Sequence, residues 1–130
     1  MNPKNFLRRM LEIYSPSGQE NELANFLLNQ MSTMGFEAEI DEVGNVIGRI
    51  GEGKPTLLLC GHMDTVPGKL PVKEGNGELS GRGAVDAKAP LAALILAAAG
   101  FTGKKIRGKI LAVGTVQEAV SYTHLTLPTK

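Results

Sequence analysis

The run Leu57-Leu58-Leu59-Cys60 constrains this chain most, because Gly61-His62-Met63-Asp64-Thr65-Val66-Pro67-Gly68 follows it without a break. Four uninterrupted apolar residues suit a strand buried on both faces of a sheet. In extended chain, side chains two apart point the same way, so His62 and Asp64 can face one spot where that strand ends. Ligand sites of open α/β sheets gather at that edge, outside the carboxyl ends of the strands. His62 is therefore a candidate metal ligand. Asp64 is suited to hold the other ring nitrogen, so that one tautomer faces the metal. A lone His-x-Asp is common, however, and most histidines serve other ends.

The surrounding pattern alternates helices with strands. Phe6, Leu7, Met10, Leu11 and Tyr14 recur at helical spacing and predict a helix over residues 3–14. Ser15-Pro16-Ser17-Gly18 breaks it. Ser17 stands three residues before Glu20, the capping-box spacing, so a second helix is expected to start there and to stop at Gly35. Its methionines, Met31 and Met34, read as core. Strands are expected at 36–41 and 46–50, with Gly51-Glu52-Gly53-Lys54-Pro55 as a hairpin turn leading into the central strand 56–60. Residues 69–80 suit a short hairpin. Pro90 opens a helix that is apolar nearly all round through Ala99, which implies burial between layers. Lys109 to Val116 is another buried strand. The alternation predicts an α/β fold, a three-layer αβα sandwich around a mostly parallel sheet.

Composition closes several alternatives. Fourteen basic against 13 acidic residues leave no electrostatic reason to expect nucleic acid or an anionic membrane as partner. The most apolar segment, Leu91 to Gly100, falls well short of the roughly 20 residues of a membrane span. The N-terminus leads into a charged amphipathic stretch rather than a signal-peptide core. Cys60 is the only cysteine and has no internal disulfide partner, which suits a reducing cytoplasm.

Two further carboxylates complete the candidate site. Asp86 follows the glycine-rich turn Gly81-Arg82-Gly83 and precedes the apolar helix, so it can reach the same sheet edge. Glu118 stands beyond the strand ending near Val116, on that edge too if the strands are parallel. Taken singly, Asp86 reads equally as a helix N-cap and Glu118 as an exposed strand-end charge. Gly81-x-Gly83 hints at dinucleotide binding, but Asp86 occupies the position where glycine or alanine is wanted.

The segments 61–68 and 81–88, followed by Gln117-Glu118, resemble the dinuclear zinc peptidase family of acetylornithine deacetylase, succinyl-diaminopimelate desuccinylase, aminoacylase and carboxypeptidase G. The resemblance spans residues 1 to about 118. Its texture around Val66-Pro67-Gly68 and Gly83 to Lys88 is most similar to the hydrolases that release lysine or ornithine from an amino-group carrier protein. It implies that His62 binds one metal, that Asp86 bridges two, that Asp64 orients His62 and that Glu118 is the general base. It implies two divalent ions, zinc or cobalt. The substrate would be a small N-acyl amino acid or a carrier-linked amino acid, and the full-length form a possible homodimer. The reaction would be amide hydrolysis within lysine or arginine biosynthesis.

The chain departs from this pattern at Ala119, where the family has a second glutamate that binds the second metal. Another carboxylate ligand, a distant histidine and an inserted lid domain have no counterpart. Residues 121–130 resemble translated adapter sequence, so they are expected to be a non-native tail, His124 included, behind a catalytic-domain segment over residues 1–120. With His62 and Asp86 as its remaining metal ligands, the chain by itself is expected to be inactive. A non-catalytic binding module on a degenerate hydrolase scaffold is the alternative that would account for Ala119.

Overall fold

The computed structural model describes residues 2–75 and 78–116, with Val85 and Asp86 described by backbone alone. Helices α1 (Pro3–Glu12), α2 (Asn21–Met34) and α3 (Ala89–Ala99) accompany strands β1 (Glu37–Ile40), β2 (Val46–Glu52), β3 (Thr56–His62), β4 (Lys73–Gly75), β5 (Glu78–Ser80) and β6 (Gly108–Thr115). The α/β class expected from the alternation of periods is what forms.

Local sequence accounts for most of these boundaries. The Asn2 side chain caps α1 by accepting from the Lys4 amide at 2.9 Å, and Pro3 occupies the first turn, where its missing N–H costs nothing. Phe6 and Met10 of α1 are fully buried, as are Leu23, Leu27 and Met31 of α2, at the spacing that lines one helix face. Of the two methionines of α2 read as core, Met31 is fully buried and Met34 is partly buried against the same cluster. Gly35 ends α2 with a left-handed backbone. Pro90 lies in the first turn of α3.

Four strands form one sheet in the order β1-β2-β6-β3. β1 and β2 pair antiparallel, β2 and β6 antiparallel, and β6 and β3 parallel. β4 and β5 make a separate antiparallel pair, the short hairpin that the sequence suggested. Parallel pairing among the described strands is therefore confined to β3 and β6, the two that carry the candidate site. All three helices share one core with the sheet face bearing Val46, Ile50, Ile110 and Ala112. The other face carries Ile47, Leu111 and Val113, and among the described residues no helix joins that cluster. The described part thus shows two of the three expected layers.

Two expectations are corrected by the strand order. β3 is an edge strand among the described strands, with Leu57 55% exposed and Cys60 also exposed, so its apolar run is not buried on both faces. β6 holds the interior place instead and is buried along its whole length. Because β6 lies between β2 and β3, the Gly51–Pro55 turn joins two strands that do not pair, and no hairpin forms there. An apolar run reports how hydrophobic a strand is, whereas its place in the order is set by a strand about 50 residues later in sequence.

The sheet also explains a glycine in β2. A Cβ at Gly48 would lie 2.8 Å from Met31 Sδ and 2.8 Å from Phe36 Cδ2, so the absent side chain is what lets the end of α2 settle on the sheet. Gly48→Ala is expected to lower stability by about 1–3 kcal/mol through overpacking, read from chemical denaturation. A neutral result would show that the thioether and ring move aside freely.

Candidate active site

His62 is the last residue of β3 and stands in register with Thr115 at the end of β6. The Met63 amide donates to the Thr115 carbonyl at 2.8 Å, which extends the ladder past the histidine. Nδ1 of His62 lies 2.8 Å from the backbone carbonyl of Asp64. A carbonyl oxygen only accepts, so Nδ1 carries a proton, and in the neutral ring Nε2, across from it, holds the lone pair. The Asp64 carboxylate adds Oδ1 at 3.3 Å from the same nitrogen. Asp64 therefore meets His62 through main chain and side chain together; sequence spacing pointed to the carboxylate alone.

Asp64 is completely buried, and a carboxylate so placed needs hydrogen-bond partners. Its Oδ2 accepts from the Ser17 hydroxyl at 2.5 Å. This overturns the capping-box reading of Ser17. The N-cap of α2 is Glu20, with no side-chain cap bond, and the serine hydroxyl is committed to a residue 47 positions away. The neighbouring chain follows suit. Ser15 Oγ donates to the Met63 carbonyl at 2.9 Å, the Thr65 amide donates to the Ser15 carbonyl at 2.9 Å, and Pro16 forms an isolated parallel bridge with Thr65. The α1–α2 connection thus grips the loop just beyond His62.

Asp86 lies in a π-helical turn, Ala84–Lys88, that runs directly into α3. Its side chain lies outside what is described, and the N-cap of α3 is Lys88, so the N-cap reading of Asp86 does not hold. The turn is closed by the Lys88 amide donating to the Gly83 carbonyl at 2.8 Å, and it packs against β3. Gly61 makes room for the helix that follows the turn: a Cβ there would lie 3.3 Å from Leu94 Cδ2 and 3.5 Å from Leu91 Cα of α3. Glu118 and Ala119 lie outside the described residues. The parallel pairing of β3 with β6, on which the expected placement of Glu118 depends, is present. Among the described residues no three His, Cys, Asp or Glu side chains gather as a metal cluster.

Lys88 is the residue that reading by motif passes over. It is 1% exposed, and its Nζ donates to the Met10 carbonyl at 2.9 Å and the Ile13 carbonyl at 2.6 Å. Those carbonyls belong to the C-terminal end of α1, the negative end of the helix dipole, which suits a cation. Burial pushes the ammonium down to about 8. Its sequence signals were its place at the end of the segment Gly83 to Lys88, where the resemblance gave it no role, and its position directly before a strongly apolar helix.

The site opens into a cleft of about 480 Å³ lined by His62, Asp64, Thr65, Ser80, Arg82 and Ala84 among others. An imidazole held as its Nδ1–H tautomer at such a cleft is a suitable donor to zinc or a similar borderline metal.

Residues 58–121 match the model of peptidase family M20/M25/M40. The chain belongs to the M20 peptidase family. Over 117 residues it is 39% identical to a LysW-lysine hydrolase of Deinococcus radiodurans, an alignment covering 88% of this chain and 32% of that protein. Over 94 residues it is 38% identical to a LysW-lysine/LysW-ornithine hydrolase of Sulfurisphaera tokodaii, covering 72% of this chain and 26% of that one. The chain thus spans about a third or less of the length of these relatives. Among solved structures, a family M20 metallo-carboxypeptidase from Sulfolobus solfataricus superposes with a TM-score of 0.75 at 22% identity, covering 88% of this chain and 30% of that one. At that identity the likeness concerns the fold alone. No described helix is long and apolar enough to cross a membrane.

Proposed function

We propose that this chain is the N-terminal part of a metal-dependent hydrolase that cleaves an amide bond to release lysine or ornithine from a carrier protein, in the cytoplasm. The observation that carries the reading is the His62–Asp64 pair at the carboxyl end of a strand parallel to its neighbour, in a chain whose relatives are named LysW-lysine and LysW-ornithine hydrolases. His62 would present Nε2 to a divalent ion, zinc or cobalt, and Asp86 would bridge it to a second. Asp64 keeps the imidazole in the tautomer that ligation requires. When bound, such ions polarise an amide carbonyl and lower the pKa of water towards neutrality. Glu118 would take the proton and pass it to the departing amine.

Of the ligands that this reading needs, the chain supplies His62 and Asp86, while Ala119 stands where a ligand of the second metal would be. The 130-residue chain is therefore expected to show no turnover with zinc or cobalt on carrier-linked lysine or on N-acyl amino acids. The full-length gene product is expected to hydrolyse them and to lose that activity to a chelator. Metal-dependent turnover by the purified 130-residue chain would overturn the expectation of inactivity. A full-length product that binds carrier-linked lysine without cleaving it would instead establish the binding-module reading.

A further inference from the structure

The two halves of the site hang from one short stretch of chain. The loop after His62 is held by Ser15, Pro16 and Ser17, through the Ser15 hydroxyl on Met63, the Ser15 carbonyl under the Thr65 amide, and the Ser17 hydroxyl on Asp64. The turn that carries Asp86 is tied to the residues just before, because Lys88 reaches the carbonyls of Met10 and Ile13. Met10 to Ser17 therefore touches both ligand-bearing segments, which are separated by more than 20 residues in sequence. We propose that Lys88 is a positioning residue: its ammonium fastens the Asp86 turn to the same frame that Ser15 and Ser17 fasten to the His62–Asp64 loop, and so sets the spacing of the two ligands. The inference rests on the reading of His62 and Asp86 as metal ligands.

The geometry favours this role over simple space filling. A buried lysine that only filled space would be better replaced by methionine or leucine, which carry no desolvation cost. Here the ammonium meets two carbonyls at the end of α1, where a helix runs out of its own amide donors; that of Met10 also accepts from the Ile13 amide, at 3.3 Å against 2.9 Å for the ammonium. A π-turn is a rare, single-turn element, here five residues long, so an external tie has more to do there than in a longer α-helix. The tie also closes on a rigid support, since Phe6 and Met10 of α1 are fully buried in the main core.

The test uses the whole 130-residue chain as wild type, Lys88→Met and His62→Ala. Hydrogen exchange is read at the amides of residues 84 and 88, with Thr65 and the β6 amides as internal references. Zinc binding is followed by titration calorimetry in every variant, and through the His62 ring resonances where His62 is present. In Lys88→Met, exchange at residues 84 and 88 is expected to accelerate about tenfold or more while Thr65 and β6 hold, and zinc affinity is expected to fall about tenfold, as when a group that orients a ligand is lost. Exchange at residues 84 and 88 that rises only in step with β6 would reduce Lys88 to a general stabilising role and overturn the proposal. Unchanged zinc affinity alongside faster local exchange would also overturn it. If Lys88→Met does not fold, Lys88→Gln, which keeps one donor, is judged by the same two readouts. Zinc binding that survives His62→Ala would overturn the ligand reading, and the exchange data would then decide the tie on their own.

Discussion

Gly108→Ala is expected to lower the stability of this chain by about 3 kcal/mol or more and its melting temperature by more than about 10 °C. Gly108 opens β6 at φ 94°, a region where an L side chain is strained by about 1–2 kcal/mol. The added Cβ would also fall 2.2 Å from the Pro55 carbonyl oxygen and 2.9 Å from the Pro55 nitrogen. Both are backbone atoms, so no rotamer change relieves the overlap. The segment before β3 would have to move, and with it the hydrogen bond from the Lys109 amide to Pro55, 2.9 Å long. That bond sits at the start of the parallel β3–β6 pairing, where Thr56 faces Lys109. Gly53→Ala separates the two causes, since Gly53 has a similar φ of 84° but nothing within 4 Å of its added Cβ. It is expected to cost only about 1–2 kcal/mol. Equal melting temperatures for the two variants would show that the overlap at Gly108 is relieved without cost.

His62→Ala in the full-length gene product is expected to reduce turnover by about 1,000-fold or more, with loss of bound metal. The wild-type chain's own geometry predicts a graded companion. Asp64→Asn leaves the backbone carbonyl at 2.8 Å from Nδ1, so the tautomer persists, while the carboxylate that makes the imidazole a stronger donor is gone. Losing such a partner typically costs 10–100-fold, so Asp64→Asn is expected to lie about there, between wild type and His62→Ala. Turnover and metal content measured on the same preparations decide the matter. If His62→Ala retained both, His62 would not be a ligand. If Asp64→Asn fell as far as His62→Ala, the carbonyl would be insufficient to hold the ring.

Much of this was readable along the chain because it depends on neighbours in sequence. Helical spacing in Phe6 to Leu11 and Leu23 to Met31 marked the faces that become core, since 3.6 residues per turn fixes which side chains share a face. His62 and Asp64 announced themselves by sitting two apart after an apolar run. Ser17 misled for the same reason that the others informed. Its spacing to Glu20 fits a local cap, but a buried carboxylate from 47 residues away competes for the same hydroxyl and takes it.

What the sequence determined by itself is therefore local: the positions of α1, α2 and α3, the strands, and a histidine and aspartate at a strand's end. Strand order, the edge position of β3, the partner of Ser17 and the buried reach of Lys88 were decided only by the tertiary structure. Each of those depends on which distant segment arrives beside it. Periodicity and caps act within a few residues, whereas Lys88 meets Met10 across 78 positions, and only the packed fold brings them to 2.9 Å.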